Sequence, residues 1–303
     1  MADLSVNFAG VQFKNPVVAA SGTFGFGREY NEYFDISKLG GICVKGLTPL
    51  PRLGNPPPRI AETPMGMLNS VGLQNPGVDN FIETEMPFLR GVDTVIIANI
   101  SGNTVEEYAR MAEKLSGAAV GMIEVNVSCP NVEAGGMHFG TSARGIASVT
   151  EAVKKHSAVP VMVKLSPNVT DIAEMAKAAE SAGADALSLI NTILGMRIDI
   201  NTRKPVLHNN TGGLSGPAIF PVAVRMVWQV SQAVKIPILG MGGIMDGNGA
   251  VEMMLAGAGL VGVGTASFSD PCAPLRIIEG IDDYLTRKSL HAARELTGKV
   301  IVN

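Results

Sequence analysis

The feature that most restricts this chain is a repeat of short apolar runs. Eight of them begin near residues 16, 41, 94, 122, 160, 186, 237 and 260, each four to six residues long. Most are separated by segments whose apolar residues recur at helical spacing, near 78–89, 104–115, 142–156, 170–181, 217–233 and 248–256, and the tail at 271–290 has the same spacing. A run that is apolar at nearly every position needs both faces covered, which a parallel sheet between its own crossover helices provides. Eight such units close naturally into a (β/α)8 TIM barrel, an α/β fold of roughly 250 residues, so a single domain over 1–303 is expected. Residues 4–14 alternate polar and apolar around Ala9-Gly10 and read as a short N-terminal hairpin able to close one barrel end. The rival is a doubly wound open sheet, which wants G-x-G-x-x-G after its first strand. Gly22-Thr23-Phe24-Gly25-Phe26-Gly27 has the wrong spacing for it. Two stretches break the rhythm, a proline-rich one at 47–75 and an aperiodic one at 193–215. Both read as irregular loops inserted at the C-terminal rim, and long segments of that kind are usually functional.

Composition excludes several classes. Net charge is -3 and no basic block stands out, which argues against nucleic acid as a partner. Three widely spaced cysteines, Cys43, Cys129 and Cys272, make no disulfide framework and suggest a reducing compartment. They are too few to hold an iron–sulfur cluster or a four-cysteine zinc site, and no metal site is expected. There is no basic-then-apolar leader and no long uninterrupted apolar run, so the expectation is a cytoplasmic protein without a membrane anchor.

Function is read from the residues that follow each run: Ser21, Lys45, Asn99, Asn126 with Cys129, Lys164, Asn191 with Thr192, Gly242-Gly243, and Gly264-Thr265. In a barrel these positions form one rim, where active sites lie. An asparagine after a strand often makes a turn or caps a helix, and a lysine there often snorkels. Two lysines and three asparagines on one rim exceed turn chemistry. The glycine-rich ends after the last two strands, with Gly212-Gly213-Leu214-Ser215-Gly216-Pro217, suit a phosphate held by backbone N–H groups. Asn126-Val127-Ser128-Cys129-Pro130-Asn131 sets a thiol just beyond a strand end, where Pro130 disfavours helix. By itself that cysteine is equally well a small core residue. A phosphate at one end and a thiol with asparagines at the other leave room for a flat cofactor. Lys164 is the better candidate to stabilise a reduced flavin ring, and Lys45 could reach ring or substrate. Cys43 and Cys272 read as packing residues, and His138 and His208 as surface or loop residues.

Several motifs together resemble class 1 dihydroorotate dehydrogenases over essentially the whole chain. They are Ser21-Gly22-Thr23-Phe24-Gly25, Val44-Lys45-Gly46, Asn69-Ser70-Val71-Gly72-Leu73-Gln74-Asn75, the segment around Cys129, Val163-Lys164-Leu165-Ser166-Pro167, Gly212-Gly213-Leu214-Ser215-Gly216 and Gly242-Gly243-Ile244. Cysteine at 129 resembles class 1, since class 2 enzymes carry serine there and a membrane-associating extension. Ser21 through Gly27 and Asn131-Val132-Glu133-Ala134-Gly135-Gly136-Met137-His138-Phe139-Gly140 look like subtype B.

The resemblance implies an FMN-containing barrel that oxidises dihydroorotate to orotate in pyrimidine synthesis. It also implies a partner subunit carrying FAD and a [2Fe-2S] cluster that passes electrons to NAD+, with catalytic subunits paired as a homodimer within a heterotetramer. Carried over by position, Cys129 is the catalytic base. Lys45, Asn69, Val71, Gly72, Leu73, Asn126, Asn191 and Thr192 contact substrate, with Asn131 a further candidate. Ser21, Lys45, Gly46, Asn99, Asn126, Lys164, Ile190, Gly216, Gly242, Gly243, Gly264 and Thr265 contact FMN. The glycine-rich segment after Cys129 is expected to close as a lid. The alternatives are a homodimeric, fumarate-dependent dihydroorotate dehydrogenase and another FMN-barrel pyrimidine reductase.

Overall fold

The computed structural model describes residues 2–128 and 139–303. Eight parallel strands close into a barrel, and they are the eight runs expected: β1 Val17–Ala19, β2 Gly41–Cys43, β3 Val95–Ile100, β4 Met122–Asn126, β5 Val161–Lys164, β6 Ala186–Leu189, β7 Ile238–Met241 and β8 Leu260–Val263. Each pairs with its sequence neighbours, and β8 returns to β1 with Val263 opposite Ala19. Val17–Ala19, Gly41–Cys43 and Val161–Lys164 are buried at every position, as double-sided coverage requires.

Alternation along the strands divides the core in two. One set of side chains packs outward against the helices, and that larger cluster includes Ile42, Ile96, Ile123, Val163 and Leu187. The other set fills the barrel: Val18, Cys43, Ile97, Met122, Met162, Ala186, Leu239 and Leu260. The hairpin Val6–Phe8 with Val11–Phe13 turns through Ala9 and Gly10 at positive φ and adds Phe8 and Phe13 to the interior cluster. Both rings are fully buried and meet edge to face at 6.0 Å. Burying a ring of this kind contributes about 1.5–3 kcal/mol, so the hairpin closes the N-terminal end and leaves only the opposite rim open for a site.

Four of the crossover helices begin at that rim with side-chain caps. Thr104 accepts from Glu107 N–H, Ser142 from Gly145, Asp171 from Ala173 and Glu174, and Asp246 from Gly249. The helices run Val105–Ser116, Ala143–His156, Ile172–Ser181, Phe220–Ser231 and Gly247–Leu255, close to the expected spans, and Ala273–Arg287 forms the tail. The segment at 78–89 is helical but broken, with a π turn over Phe81–Glu85 just ahead of Pro87.

The two stretches read as irregular are not. Ile60–Thr63 and Gly66–Asn69 from the first, with Ile193–Met196 and Thr211–Ser215 from the second, form one four-stranded antiparallel sheet. Its central pairing sets Gly213 opposite Asn69 and Leu214 opposite Leu68. A smaller hairpin pairs Ile198–Asp199 with Lys204–Pro205. These strands are short and rich in glycine, so they lack the period-2 signal by which a strand is read.

Candidate active site

The rim opens into a cleft with two lobes. The inner lobe, about 1190 Å³, is lined by Ser21, Gly46, Asn99, Lys164, Ile190, Gly216, Gly242, Gly243, Gly264 and Thr265. The outer lobe, about 1280 Å³, adds Gly72, Ser128, Ser166 and Asn168. Seven residues line both: Lys45, Asn69, Val71, Leu73, Asn126, Asn191 and Thr192. Those seven are the expected substrate contacts, with Gly72 in the outer lobe alone. The expected cofactor contacts all line the inner lobe. Cys129 and Asn131 lie outside the described residues, as do His138 and the expected lid up to Phe139; Ser128, the residue before Cys129, lines the outer lobe.

Each position follows from local structure. Ser21 donates its hydroxyl to Val44 O at 2.7 Å, tying the turn after β1 to the end of β2. Asn126 ends β4 opposite Lys164, which ends β5, so the two side chains share a face. Tyr108 donates its hydroxyl to Asn126 O at 2.8 Å. Asn126 Oδ1 accepts from Ser128 N–H at 3.1 Å and Asn191 Nδ2 at 3.4 Å. Asn69 comes from the antiparallel sheet rather than the barrel and donates to Gly213 O at 3.4 Å. The wall carrying Val71 and Leu73 is held by the buried Asn75. Its Oδ1 accepts from Thr48 and Gly77 N–H, and its Nδ2 donates to Leu73 O at 2.7 Å.

At the inner end the backbone is bare where a phosphate would sit. Gly243 has φ 78, and a Cβ there would stand 2.8 Å from Gly216 O and 2.8 Å from Phe220 Cβ. Only glycine permits this approach. Gly46 sits over Asn99, since a Cβ on it would lie 2.7 Å from Asn99 Oδ1.

The electrostatics are positive. Lys45 makes no hydrogen bond or ion pair among the described residues. Burial pushes its pKa below the usual lysine value, helped by Lys164 and Arg59. An unpaired, half-buried ammonium invites an anion or a polarised carbonyl. Lys164 instead faces Glu124, with Nζ 3.8 Å from Oε2.

Glu124 was missed in the sequence, although it is the one charged residue inside the run that includes Met122, Ile123 and Val125. Period 2 puts it on the inward face with Met122 and Asn126. Cys43, read as packing, does pack in the barrel interior, and its thiol also donates to Glu124 Oε2 at 3.1 Å. Burial, then the Glu124 charge, raises the Cys43 pKa well above the ordinary range, so the group remains a thiol.

Asn99 supplies a test of fit for a flavin. Its Nδ2 is engaged by Glu124, while its Oδ1 is buried with no partner among the described residues. An orphaned buried acceptor on the cleft wall is costly unless a ligand donates to it. The imide N–H of a flavin ring suits it, as the glycine cradle suits the phosphate. Among the described residues no group of three or more His, Cys, Asp or Glu could hold a metal, and no helix is long and apolar enough to cross a membrane.

A closed barrel with a glycine cradle at one end of its rim and lysines with asparagines at the other is the architecture of a cofactor-dependent barrel enzyme. A family model described as dihydroorotate dehydrogenase matches residues 3–285. Curated relatives agree. The chain is 57% identical to a protein of Alkaliphilus oremlandii over 298 residues, covering 98% of this chain and 99% of the relative. It is 58% identical to one of Alkaliphilus metalliredigens with the same coverage. It is 56% identical to one of Geotalea daltonii, covering 98% and 97%. All three are named dihydroorotate dehydrogenase B (NAD(+)), catalytic subunit. The chain belongs to the dihydroorotate dehydrogenase family.

Proposed function

We propose that this chain oxidises (S)-dihydroorotate to orotate in pyrimidine biosynthesis, with FMN in the inner lobe and dihydroorotate at the junction of the lobes. The observation that carries the reading is that junction. Lys45 and the amides of Asn69, Asn126 and Asn191 converge where both lobes meet. Dihydroorotate offers a carboxylate, two ring carbonyls and two ring N–H groups. Asparagine amides both donate and accept, so they can satisfy all of these without a net charge of their own. Lys45 would supply the charge for the carboxylate.

FMN, when bound, supplies the acceptor for the hydride leaving C6. The chain's own contribution is to hold the ring flat between the asparagines and to remove the C5 proton. Cys129 is the proposed base: the C5–H bond breaks, its electrons form the new ring double bond, and the proton passes to the thiolate. A free cysteine titrates near pKa ~8.5, close enough to working pH for general-base chemistry. Lys164 would face the pyrimidine edge of the flavin, and Asn99 Oδ1 would accept from its ring N–H. Gly242, Gly243, Gly264 and Thr265 would surround the phosphate.

Electrons would leave through a partner subunit carrying FAD and [2Fe-2S], with NAD+ as final acceptor and the catalytic subunits paired within a cytoplasmic heterotetramer. Supporting this are the relatives' name, which pairs NAD(+) with "catalytic subunit", and the three cysteines of this chain, too few for a cluster. The test is to load the purified chain with FMN and add dihydroorotate without oxygen. The flavin should bleach, and NADH should form on adding NAD+ only when the partner subunit is present. A chain that takes up no FMN, or a loaded chain that dihydroorotate does not bleach, overturns the reading.

A further inference from the structure

Glu124 is the only Asp or Glu among the described residues that is buried, and it has no part in the chemistry above. Three side chains donate to it and a fourth pairs with it by charge. Ser188 Oγ reaches Oε1 at 2.7 Å. Asn99 Nδ2 at 2.5 Å and Cys43 Sγ at 3.1 Å reach Oε2, with Lys164 Nζ 3.8 Å away. A carboxylate can only accept, so Oε2 fixes which end of the Asn99 amide faces it. The amide group must point down, and Oδ1 is left toward the cleft without a partner. The same carboxylate stands beside the one ammonium at the end of β5.

We propose that Glu124 is a positioning residue for the cofactor. By engaging Asn99 Nδ2 it presents Asn99 Oδ1 to the flavin ring N–H, and by pairing with Lys164 it offsets part of the positive charge that favours the reduced ring. This rests on the assignment of FMN to the inner lobe. Its consequence is that the barrel interior, not only the rim, sets the balance between oxidised and reduced cofactor. The carboxylate lowers the affinity for the anionic reduced form and so makes the cofactor a better donor to the next carrier.

Glu124→Gln isolates the charge. The new amide can keep its oxygen toward Asn99 and Lys164 while its nitrogen donates to Ser188, whose hydroxyl also accepts. The affinity for reduced FMN should then gain about tenfold on that for oxidised FMN, seen as a rise of about 30 mV in the two-electron midpoint. Glu124→Leu removes the acceptor as well and should weaken both redox forms. A purely structural role would weaken both forms alike in Glu124→Gln and leave the midpoint at the wild-type value, which overturns the proposal. If Glu124→Gln does not fold, Ser188→Ala carries the test. It keeps the charge and strips one donor, so the midpoint should fall, and an unchanged or raised midpoint overturns the proposal. Wild-type chain that takes up no FMN would overturn the cofactor assignment together with this inference. FMN-binding wild type with an unmoved variant midpoint sinks this inference alone.

Discussion

Replacing Lys164 by methionine should separate the cost of a buried charge from the loss of a ligand contact. Lys164 and Glu124 are 7% and 1% exposed in their side chains, with 3.8 Å between Nζ and Oε2. At an effective dielectric of about 20, that distance corresponds to an attraction of about 4 kcal/mol. Removing the ammonium leaves the carboxylate with Ser188, Asn99 and Cys43 as donors but no counter-charge. Breaking a buried pair on one side costs about 3–5 kcal/mol. FMN-free Lys164→Met should therefore unfold at clearly lower urea. The double variant Lys164→Met with Glu124→Gln should recover most of the loss, because a neutral amide keeps the hydrogen bonds without a stranded charge. Trp228, the only tryptophan in the chain, lies on the helix Phe220–Ser231 and reports unfolding by its fluorescence. The double-mutant cycle should give a coupling of about 3 kcal/mol. A coupling near zero, or a double variant no more stable than the single one, would refute the reading of this pair as a compensated buried charge. The lysine variant should also lose FMN, whereas the double variant should regain stability without regaining colour.

Three further outcomes are expected. Cys129→Ala should keep FMN but reduce it about 100-fold more slowly on mixing with dihydroorotate, the scale of a lost general base; in stopped flow, wild-type speed would remove the base from the mechanism. Gly243→Ala must place a side chain at φ 78 and 2.8 Å from Gly216 O. The left-handed conformation alone costs about 1–2 kcal/mol, so FMN affinity should fall at least about tenfold while the circular dichroism of the barrel persists. Lys45 has its pKa lowered, first by burial, so the unfolded chain holds that proton more tightly. Stability from this group therefore rises as pH climbs from the lowered value toward 10.5. FMN-free Lys45→Met should melt higher than wild type near neutral pH, with the gap closing as pH approaches 10.5, and thermal scans across that range check the sign.

The cleft shows why the substrate and cofactor residues are so unlike one another. The inner lobe is built mainly from strand ends of the barrel, with Ser215 and Gly216 added from the end of the inserted sheet, and glycine backbone closes one end of it. The junction draws Asn69 from the inserted sheet and Asn126 and Asn191 from the barrel. Its shape therefore depends on two structures meeting, with Asn75 pinning the wall between them.

Local pattern in the chain was enough to establish the barrel. Strand burial and helix amphipathicity are properties of neighbouring residues, so the eight runs, the helices between them and the hairpin through Ala9 and Gly10 could be read directly. The rim residues were legible for the same reason, since closure carries every strand end to one place. Tertiary structure alone decided the rest. Asn69 meets Gly213 across 144 residues, a pairing that exists only once the barrel has brought the two insertions to the same side of its mouth. Cys43, Glu124 and Ser188 come from three different strands, and nothing within any one of them announces the hydrogen bonds they share. An acceptor buried in an apolar strand shows that a partner is needed, but which donors reach it depends on the register and closure of the whole sheet.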